Sequence, residues 1–115
     1  MQGHIFIQEA SETLDVDKLR THLETDGCGA IVSFIGITRG EDNGEEVLRL
    51  EFDAWQEKLS ETLHELAQQS ISKFDLHSVV MSHRTGSVGP SENIVAIHVA
   101  SQHRKEAFEG CSWLI

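Results

Sequence analysis

The chain has 115 residues, the size of one domain, with 39% apolar and 24% charged residues, nine glycines and one proline. This composition excludes a disordered or collagen-like chain. The formal net charge of −10 argues against a general binder of nucleic acid or anionic membranes, which needs surplus Lys and Arg. No apolar run approaches the roughly 20 residues that span a bilayer, and the sequence starts without a signal-peptide pattern. We therefore expect a soluble, cytoplasmic protein.

The charged residues are unevenly distributed along the chain. Residues 1–76 carry 6 Lys and Arg against 16 Asp and Glu, whereas residues 77–115 carry 3 of each kind. An anion-binding site is therefore expected in the last third of the chain.

Cys28 and Cys111 have no Cys or His at metal-ligand spacing, so we predict buried free thiols and neither a metal site nor a disulfide scaffold.

Residues 1–36 predict a strand, a helix and a second strand. The apolar segment 4–7 forms the first strand, and Asp15 is a suitable N-cap for a helix that ends at the glycine-containing segment 26–29. Residues 30–36 are apolar and rich in β-branched side chains, as expected for a central strand.

The middle of the chain predicts a polar loop over residues 38–46, a half-buried strand over 47–52 and the longest helix over 55–73. The apolar positions of this helix form one stripe, which is typical of core packing. They are Trp55, Leu59, Leu63, Leu66, Ala67 and Ile71.

The last third predicts strands over residues 77–85 and 93–101, a loop at 86–92 between them, and a helix from about Arg104. The inward side chains of this helix are expected to be Ala107, Phe108, Cys111 and Leu114 or Ile115. The order of elements mixes hairpins with helical crossovers. We therefore predict an α+β fold, a single domain over residues 1–115 with a mixed, largely antiparallel sheet and packed helices.

The predicted last helix ends on Trp113, Leu114 and Ile115 without a Gly, Asn or basic residue to cap it. We expect a further segment to follow in the full protein. Because this apolar end and a sheet edge both need cover, we also expect a homodimer whose interface draws on the final strands.

The first candidate site is the segment 101–105, where His103, Arg104 and Lys105 meet a predicted helix start. The unpaired N–H groups and the positive dipole end of a helix suit a phosphate or carboxylate. Arg adds a planar fork, and His adds a proton donor near neutral pH. Solvated residues at a helix start explain the same pattern equally well.

For the other candidate residues, a structural role is favoured over a catalytic or binding role. Arg39 follows an apolar strand end and opens a polar loop, where catalytic groups are often carried, but an ion pair with an acidic residue of that loop would also explain it. For His83 and Arg84 we favour a structural role, satisfied by backbone carbonyls and acidic neighbours. His98 is interpreted as a hydrogen-bonded sheet residue.

The sequence contains no phosphate-binding glycine loop and no nucleophile elbow, and neither cysteine has a His at local spacing. The chain therefore offers no nucleophile of its own. Such a chain is either an enzyme whose reactive group arrives on a partner or substrate, or no enzyme.

Four segments, in order, resemble the MoaE family, the large catalytic subunits of molybdopterin synthase. They are residues 29–39 (GAIVSFIGITR), 50–55 (LEFDAW), 83–86 (HRTG) with Gly89, and 103–111 (HRKEAFEGC). The resemblance is loose before Gly29 and close from there to Ile115. It implies an α/β hammerhead fold and a homodimer that binds a small ubiquitin-like sulfur carrier of the MoaD type at each end, giving a heterotetramer.

The resemblance also implies a reaction. In the family, the thiocarboxylate of the small subunit donates sulfur to cyclic pyranopterin monophosphate (precursor Z), and two transfers create the dithiolene of molybdopterin. Arg39 would be the catalytic cation near the thiocarboxylate and the pterin, and Phe34 would form the pocket floor. His103 and Arg104 would bind the cyclic phosphate or pterin, either in the same protomer as Arg39 or across the dimer interface. No metal and no cofactor are implied.

The family pattern continues beyond this sequence, with a catalytic lysine roughly one helical turn after Ile115. The loop at 39–44 is also more acidic than in the family. Without such a tail, the alternative is a non-catalytic dimeric scaffold that binds the ubiquitin-like partner without turnover. A second alternative, an unrelated phosphate-binding enzyme, requires His98 and His103 to point into one cleft.

Overall fold

A computed structural model describes residues 3–39, 41–42, 45–46, 50–52 and 56–115. Their elements follow the order β1 (His4–Ala10), α1 (Val16–Arg20), β2 (Ala30–Ile37), β3 (Glu41–Asp42), β4 (Glu45–Glu46), β5 (Leu50–Phe52), α2 (Gln56–Phe74), β6 (Ser78–Arg84), β7 (Gly86–Val88), β8 (Asn93–Ser101) and α3 (Arg104–Leu114). None of the helices in this described part of the chain has the length and apolar character to cross a bilayer.

The main sheet has four strands in the order β1-β6-β8-β2. β1 runs parallel to β6, with His4 beside Ser78, whereas β8 is antiparallel to both of its neighbours. The predicted α+β class with a mixed, largely antiparallel sheet is therefore confirmed. β8 is paired on both sides, so the expectation that the final strands offer a free edge for a dimer is wrong. The edges of this sheet are β1 and β2.

Side chains alternate between the two faces of the sheet. In β6, Val79 and Met81 point to the face under α2 and α3, whereas Val80 points to the face under α1. The predicted stripe of α2 is confirmed at its described positions, and Trp55 lies outside the described residues. Leu59, Leu63 and Ala67 are buried, and Leu66 and Ile71 are half-buried beside them.

The packing of α3 is confirmed at Ala107, Cys111 and Leu114, which are buried, but not at Phe108. Phe108 is 61% exposed. Because successive helical residues turn by about 100°, Phe108 lies on the flank of α3 when Ala107 faces the sheet. Of the two residues predicted to face inward at the end of the helix, Leu114 is buried and Ile115 is exposed.

The predicted N-cap of α1 is confirmed, because the Asp15 carboxylate accepts the Lys18 N–H at 3.1 Å. The helix is shorter than the pattern predicts and ends at Arg20. Its continuation changes to tighter turns, in which the His22 N–H donates to the Leu19 carbonyl at 3.0 Å.

Two predicted loops contain short strands. In the loop predicted at 38–46, β3 and β4 pair antiparallel with each other. In the loop predicted at 86–92, β7 pairs with β5, so that Leu50 lies opposite Val88. This pairing partner is distant in sequence, which is why the local Gly-rich sequence did not predict it. Residues 47–49 of the strand predicted at 47–52 lie outside the described residues.

Candidate functional site

The residue before Arg39 fixes the end of β2. Thr38 is buried; its N–H donates to the Glu92 carbonyl and its own carbonyl accepts the Ser91 N–H, both at 3.0 Å. Its hydroxyl donates to the Gly89 carbonyl at 2.5 Å and accepts the Glu92 N–H at 3.0 Å. These four bonds fix the backbone from which the exposed Arg39 side chain projects.

Arg84 holds the other side of the same turn. Its buried guanidinium donates to the Ala10 carbonyl at 3.1 Å, to the Ser87 carbonyl at 3.0 Å and to the Glu92 carboxylate at 2.9 Å. The second Glu92 oxygen accepts the Gly89 N–H at 2.5 Å. The structural role favoured for Arg84 from the sequence is confirmed. Neighbouring His83 is half-buried, and its Nδ1 lies 2.7 Å from the Arg84 carbonyl oxygen.

His103 and Arg104 lie at the start of α3, as the sequence predicts. His103 is the N-cap residue, but its side chain makes no capping hydrogen bond. The buried Ser101 hydroxyl donates instead to the His103 carbonyl at 2.5 Å, which fixes the backbone at the junction. His103, Arg104 and Lys105 are all exposed. Since the first-turn N–H groups of a helix have no intrahelical acceptors, the junction presents donors together with cationic side chains.

The structure does not bring Arg39 together with His103 and Arg104 within one chain. β2 and β8 are antiparallel, with Ala30 opposite Ser101 and Ile37 opposite Asn93. Arg39 therefore lies beyond one end of this pair and His103 beyond the other. The seven intervening steps along the strand correspond to roughly 23 Å.

Phe34 lies between these two ends, near the middle of β2. It is half-buried and packs against the core under α2 and α3. Phe34 and Arg39 are five positions apart, or roughly 16 Å of extended chain. The role predicted for Phe34 as a pocket floor stays a prediction.

His98 is a buried sheet residue, as interpreted from the sequence. Its Nδ1 lies 2.6 Å from the Ser33 hydroxyl and its Nε2 lies 3.2 Å from the Val16 carbonyl oxygen. Burial lowers the pKa of His98 from its ordinary value, although the hydrogen bond to Val16 opposes that shift. Because this ring is tied to α1 and His103 begins α3, the alternative enzyme built on both histidines is wrong.

Both cysteines are free thiols, with Cys111 buried and Cys28 half-buried. Burial raises the pKa of Cys111, and burial together with the Asp26 carboxylate raises the pKa of Cys28. Neither cysteine is therefore an activated thiolate.

One further surface holds none of the predicted site residues. An open groove of about 630 Å³ lies between α2 and β1 and is lined in part by His64, Gln68 and Asp75. This groove is at the sheet edge opposite β2.

The described residues, 3–39, 41–42, 45–46, 50–52 and 56–115, contain no group of three His, Cys, Asp or Glu side chains placed to hold a metal ion.

Comparison with known sequences gives consistent matches. The family model described as "MoaE protein" matches residues 9–115. The "Molybdopterin synthase catalytic subunit" of Pyrococcus abyssi is 27% identical over 114 residues, which are 99% of this chain and 77% of the archaeal protein. The protein of the same name from Caulobacter vibrioides is 38% identical over 87 residues, which are 76% of this chain and 57% of the relative.

Solved structures share the fold. Molybdopterin synthase from Staphylococcus aureus superposes with a TM-score of 0.84 at 24% identity, over 93% of this chain and 78% of that chain. A "protein-protein complex of subunit 1 and 2 of Molybdopterin-converting factor" from Helicobacter pylori gives a TM-score of 0.71 at 21% identity, over 92% and 72% of the two chains.

Proposed function

The chain belongs to the MoaE protein family, and from that premise we propose that it is the catalytic subunit of a molybdopterin synthase. Its reaction moves sulfur from the thiocarboxylated C-terminus of a small ubiquitin-like subunit to cyclic pyranopterin monophosphate. The names of the relatives support this assignment. The two-subunit complex from Helicobacter pylori supports a small partner of the MoaD type.

The observation that carries the proposal is the exposed pair His103 and Arg104 on the open first turn of α3. The chain as a whole has a net charge of −10, which disfavours the approach of an anionic substrate. At this junction, the first-turn backbone donors stand next to two consecutive residues that carry an imidazole and a guanidinium, and residues 77–115 carry no net charge. Such a junction suits the cyclic phosphate of the substrate.

Arg39 provides the second cation, on a backbone held by Thr38. A thiocarboxylate and a phosphorylated substrate are both anionic, so bringing them together needs positive charge between them. A positioned cation opposite developing negative charge contributes several kcal/mol to a transition state. The sulfur arrives on the partner, which is consistent with the raised pKa values of Cys28 and Cys111.

A working site requires two copies of the chain. Arg39 and His103 lie beyond opposite ends of the β2–β8 pair, so one copy supplies Arg39 and Phe34 while the other supplies His103 and Arg104. Each homodimer then holds two sites, and the heterotetramer holds two small subunits. The same arrangement without turnover is the scaffold alternative.

The proposal is tested by mixing the full-length protein with the thiocarboxylated small subunit and precursor Z and measuring the molybdopterin formed. We expect product with the thiocarboxylate and none with the same small subunit ending in a carboxylate. Binding of the small subunit without product in the first mixture would favour the scaffold and contradict the enzyme.

A further inference from the structure

The turn between β7 and β8 is bonded to a side chain from β2. Pro90 and Ser91 are the central residues of this turn, and Ser91 has a left-handed φ of 62°, which is the pattern of a type II turn. In such a turn the first carbonyl and the last N–H face each other. The Thr38 hydroxyl bonds to both groups, because it donates to the Gly89 carbonyl at 2.5 Å and accepts the Glu92 N–H at 3.0 Å. The turn and Thr38 therefore form one hydrogen-bonded unit.

The carboxylate of Glu92 bonds to the same turn. One of its oxygens accepts the Gly89 N–H at 2.5 Å, and the other accepts the Arg84 guanidinium at 2.9 Å. Arg84 is buried and also donates to the Ala10 carbonyl at the end of β1. The carboxylate thus ties the turn to an arginine that the sheet holds in place, although the Glu92 side chain itself is 42% exposed.

The backbone of the turn continues this link to β2. The Glu92 carbonyl accepts the Thr38 N–H at 3.0 Å, and the Ser91 N–H donates to the Thr38 carbonyl at 3.0 Å. Both polar backbone groups of Thr38 are therefore bonded to the turn, and Arg39 is the next residue along the chain. Any change in the shape of the turn at residues 89–92 is passed to Arg39 through Thr38.

A β-bulge lies just before this unit. Gly36 is paired with Val95, whereas Ile37 is paired with Asn93. One residue of β8 is thus extra at this point. A Cβ atom on Gly36 would come within 2.5 Å of the Val95 side chain, so a larger residue would have to displace Val95. Bulges redirect the side chains near them and are frequent beside active sites. The bulge and the turn together set the direction in which Arg39 leaves the sheet.

We propose that Glu92 is a positioning residue for sulfur transfer, an inference that rests on the proposed function. Its carboxylate fixes the turn, the turn fixes Thr38, and Thr38 places Arg39 beside the reacting anions. Misplacing a reacting group by about 1 Å can slow a reaction by about 100-fold. Glu92 therefore controls the rate through Arg39, without contact between its carboxylate and the substrate.

The negative charge of Glu92 separates this role from a direct electrostatic one. A carboxylate near the Arg39 end disfavours the thiocarboxylate and the phosphorylated substrate, which are both anions. If charge alone acted, Glu92→Gln would therefore bind the substrate more tightly and react faster. If the carboxylate holds the turn, the new amide group turns a donor toward either the Gly89 N–H or the Arg84 guanidinium, and one hydrogen bond is lost. Positioning thus predicts a lower kcat, and the two explanations differ in sign.

The first measurement is steady-state sulfur transfer by the full-length protein with the thiocarboxylated small subunit and precursor Z. We expect Glu92→Gln to lower kcat about tenfold, with the KM for precursor Z unchanged or lower. Glu9→Gln is the matched control, because this carboxylate also accepts a hydrogen bond, from the Ser60 hydroxyl at 2.6 Å, but lies on β1 at the other edge of the sheet. It should keep the wild-type kcat. An unchanged or higher kcat for Glu92→Gln would overturn the inference.

A double-mutant cycle tests whether Glu92 acts through Arg39. The Arg39→Ala chain has no guanidinium to position, so adding Glu92→Gln should cause no further loss of kcat. An equal loss in the wild-type and Arg39→Ala backgrounds would overturn the inference, because Glu92 would then act independently of Arg39.

Thr38 offers a second pair of variants that does not change any charge. Thr38→Ser keeps the hydroxyl that bonds to the turn, whereas Thr38→Val keeps the shape and removes the hydroxyl. We expect Thr38→Val to lower kcat about as much as Glu92→Gln, and Thr38→Ser to retain most of the wild-type kcat. The assays are run below the melting temperatures of both variants. Equal kcat values for the two variants would overturn the inference.

A measurement without catalysis separates this inference from the proposed function. NMR order parameters of the Thr38 and Arg39 backbone N–H groups report how firmly the turn holds this segment. We expect them to fall in Glu92→Gln and to keep the wild-type values in Glu9→Gln. Unchanged values in Glu92→Gln would overturn the inference even if the wild type forms molybdopterin. Lower values together with a wild type that forms no molybdopterin would contradict the proposed function and confirm only the hold on the Arg39 backbone.

Discussion

The two ends of the β2–β8 pair are held in different ways. At the Arg39 end, the side chains of Thr38, Arg84 and Glu92 bond to the backbone of one turn, and the Arg84 guanidinium also pairs with the Glu92 carboxylate. At the His103 end, backbone contacts and one buried hydroxyl fix the junction, and the cationic side chains stay exposed. The first arrangement uses its donors to hold the chain, whereas the second leaves its donors available for a ligand.

This contrast separates stability from function. A substitution among the buried polar groups at the Arg39 end should lower the free energy of unfolding. A substitution of the exposed cations should change catalysis or anion binding instead. The following substitutions test that separation.

The largest effect is expected for Arg84→Ala, which should lower the free energy of unfolding by about 3 kcal/mol. The change removes three hydrogen bonds of the buried guanidinium, which go to the Ala10 carbonyl, the Ser87 carbonyl and the Glu92 carboxylate. Glu92 is partly exposed, so its share of the loss is small. The measurement is urea denaturation at pH 7, with Arg104→Ala as the matched control at the other end. The contrast between the ends is wrong if both variants lose the same stability.

The next effect concerns catalysis at the Arg39 end. Arg39→Ala in the full-length protein should reduce sulfur transfer on the order of 100-fold or more, because a cation beside the reacting anions is lost. Its melting temperature should stay close to that of the wild type, since exposed arginines contribute little to stability. Lys58→Ala, an exposed change on α2, serves as the control for activity and folding. Parallel losses of activity and melting temperature would show that Arg39 is structural.

A smaller effect is expected for anion binding at the His103 end. Arg104→Lys keeps the charge but loses the planar fork that binds a phosphate through two bonds, so affinity should fall about tenfold, and further for Arg104→Ala. Calorimetric titration of precursor Z, or of a cyclic-phosphate analogue, into the full-length protein measures this. Binding should also weaken with salt, because partly exposed charges are screened over about 8 to 10 Å. Identical affinity and salt dependence for all three proteins would make Arg104 a solvated surface residue.

The elements with clear periodicity could be predicted from the sequence. The stripe of α2, the N-cap at Asp15 and the strand β8 depend on local patterns, and the structure confirms them. Phe108 could not be assigned correctly, because an apolar residue on a helix flank has the same local pattern as one in the core. Its exposure depends on the angle at which α3 lies on the sheet.

The sequence proposes the residues of the candidate site, whereas their relative placement depends on the fold. The position of His103 at a helix start follows from the adjacent strand and helix signals. Its separation from Arg39 depends on the antiparallel register of β2 and β8, which pairs residues from 71 positions apart (Ala30 and Ser101) to 56 positions apart (Ile37 and Asn93). The role of Thr38 also depends on this register, since its partners Gly89 and Glu92 come from the turn before β8.

The smallest effect is expected on the pH dependence of stability, and it concerns His98. This residue lies midway along the β2–β8 pair, where its ring contacts the Ser33 hydroxyl. Burial, reinforced by the Arg20 charge and opposed by Asp17 and the Val16 carbonyl, lowers the pKa of His98 in the folded protein.

The unfolded chain therefore binds more protons than the folded chain below the ordinary histidine pKa of about 6.5, and stability must fall as the pH falls through this range. His98→Gln removes the titrating group, so its free energy of unfolding should decline less between pH 7 and pH 5 than that of the wild type, by at most about 1.4 kcal/mol per pH unit. Urea denaturation of both proteins at several pH values measures these slopes. If the His98→Gln protein has the same slope as the wild type, protonation of this ring does not control the stability of the β2–β8 pair.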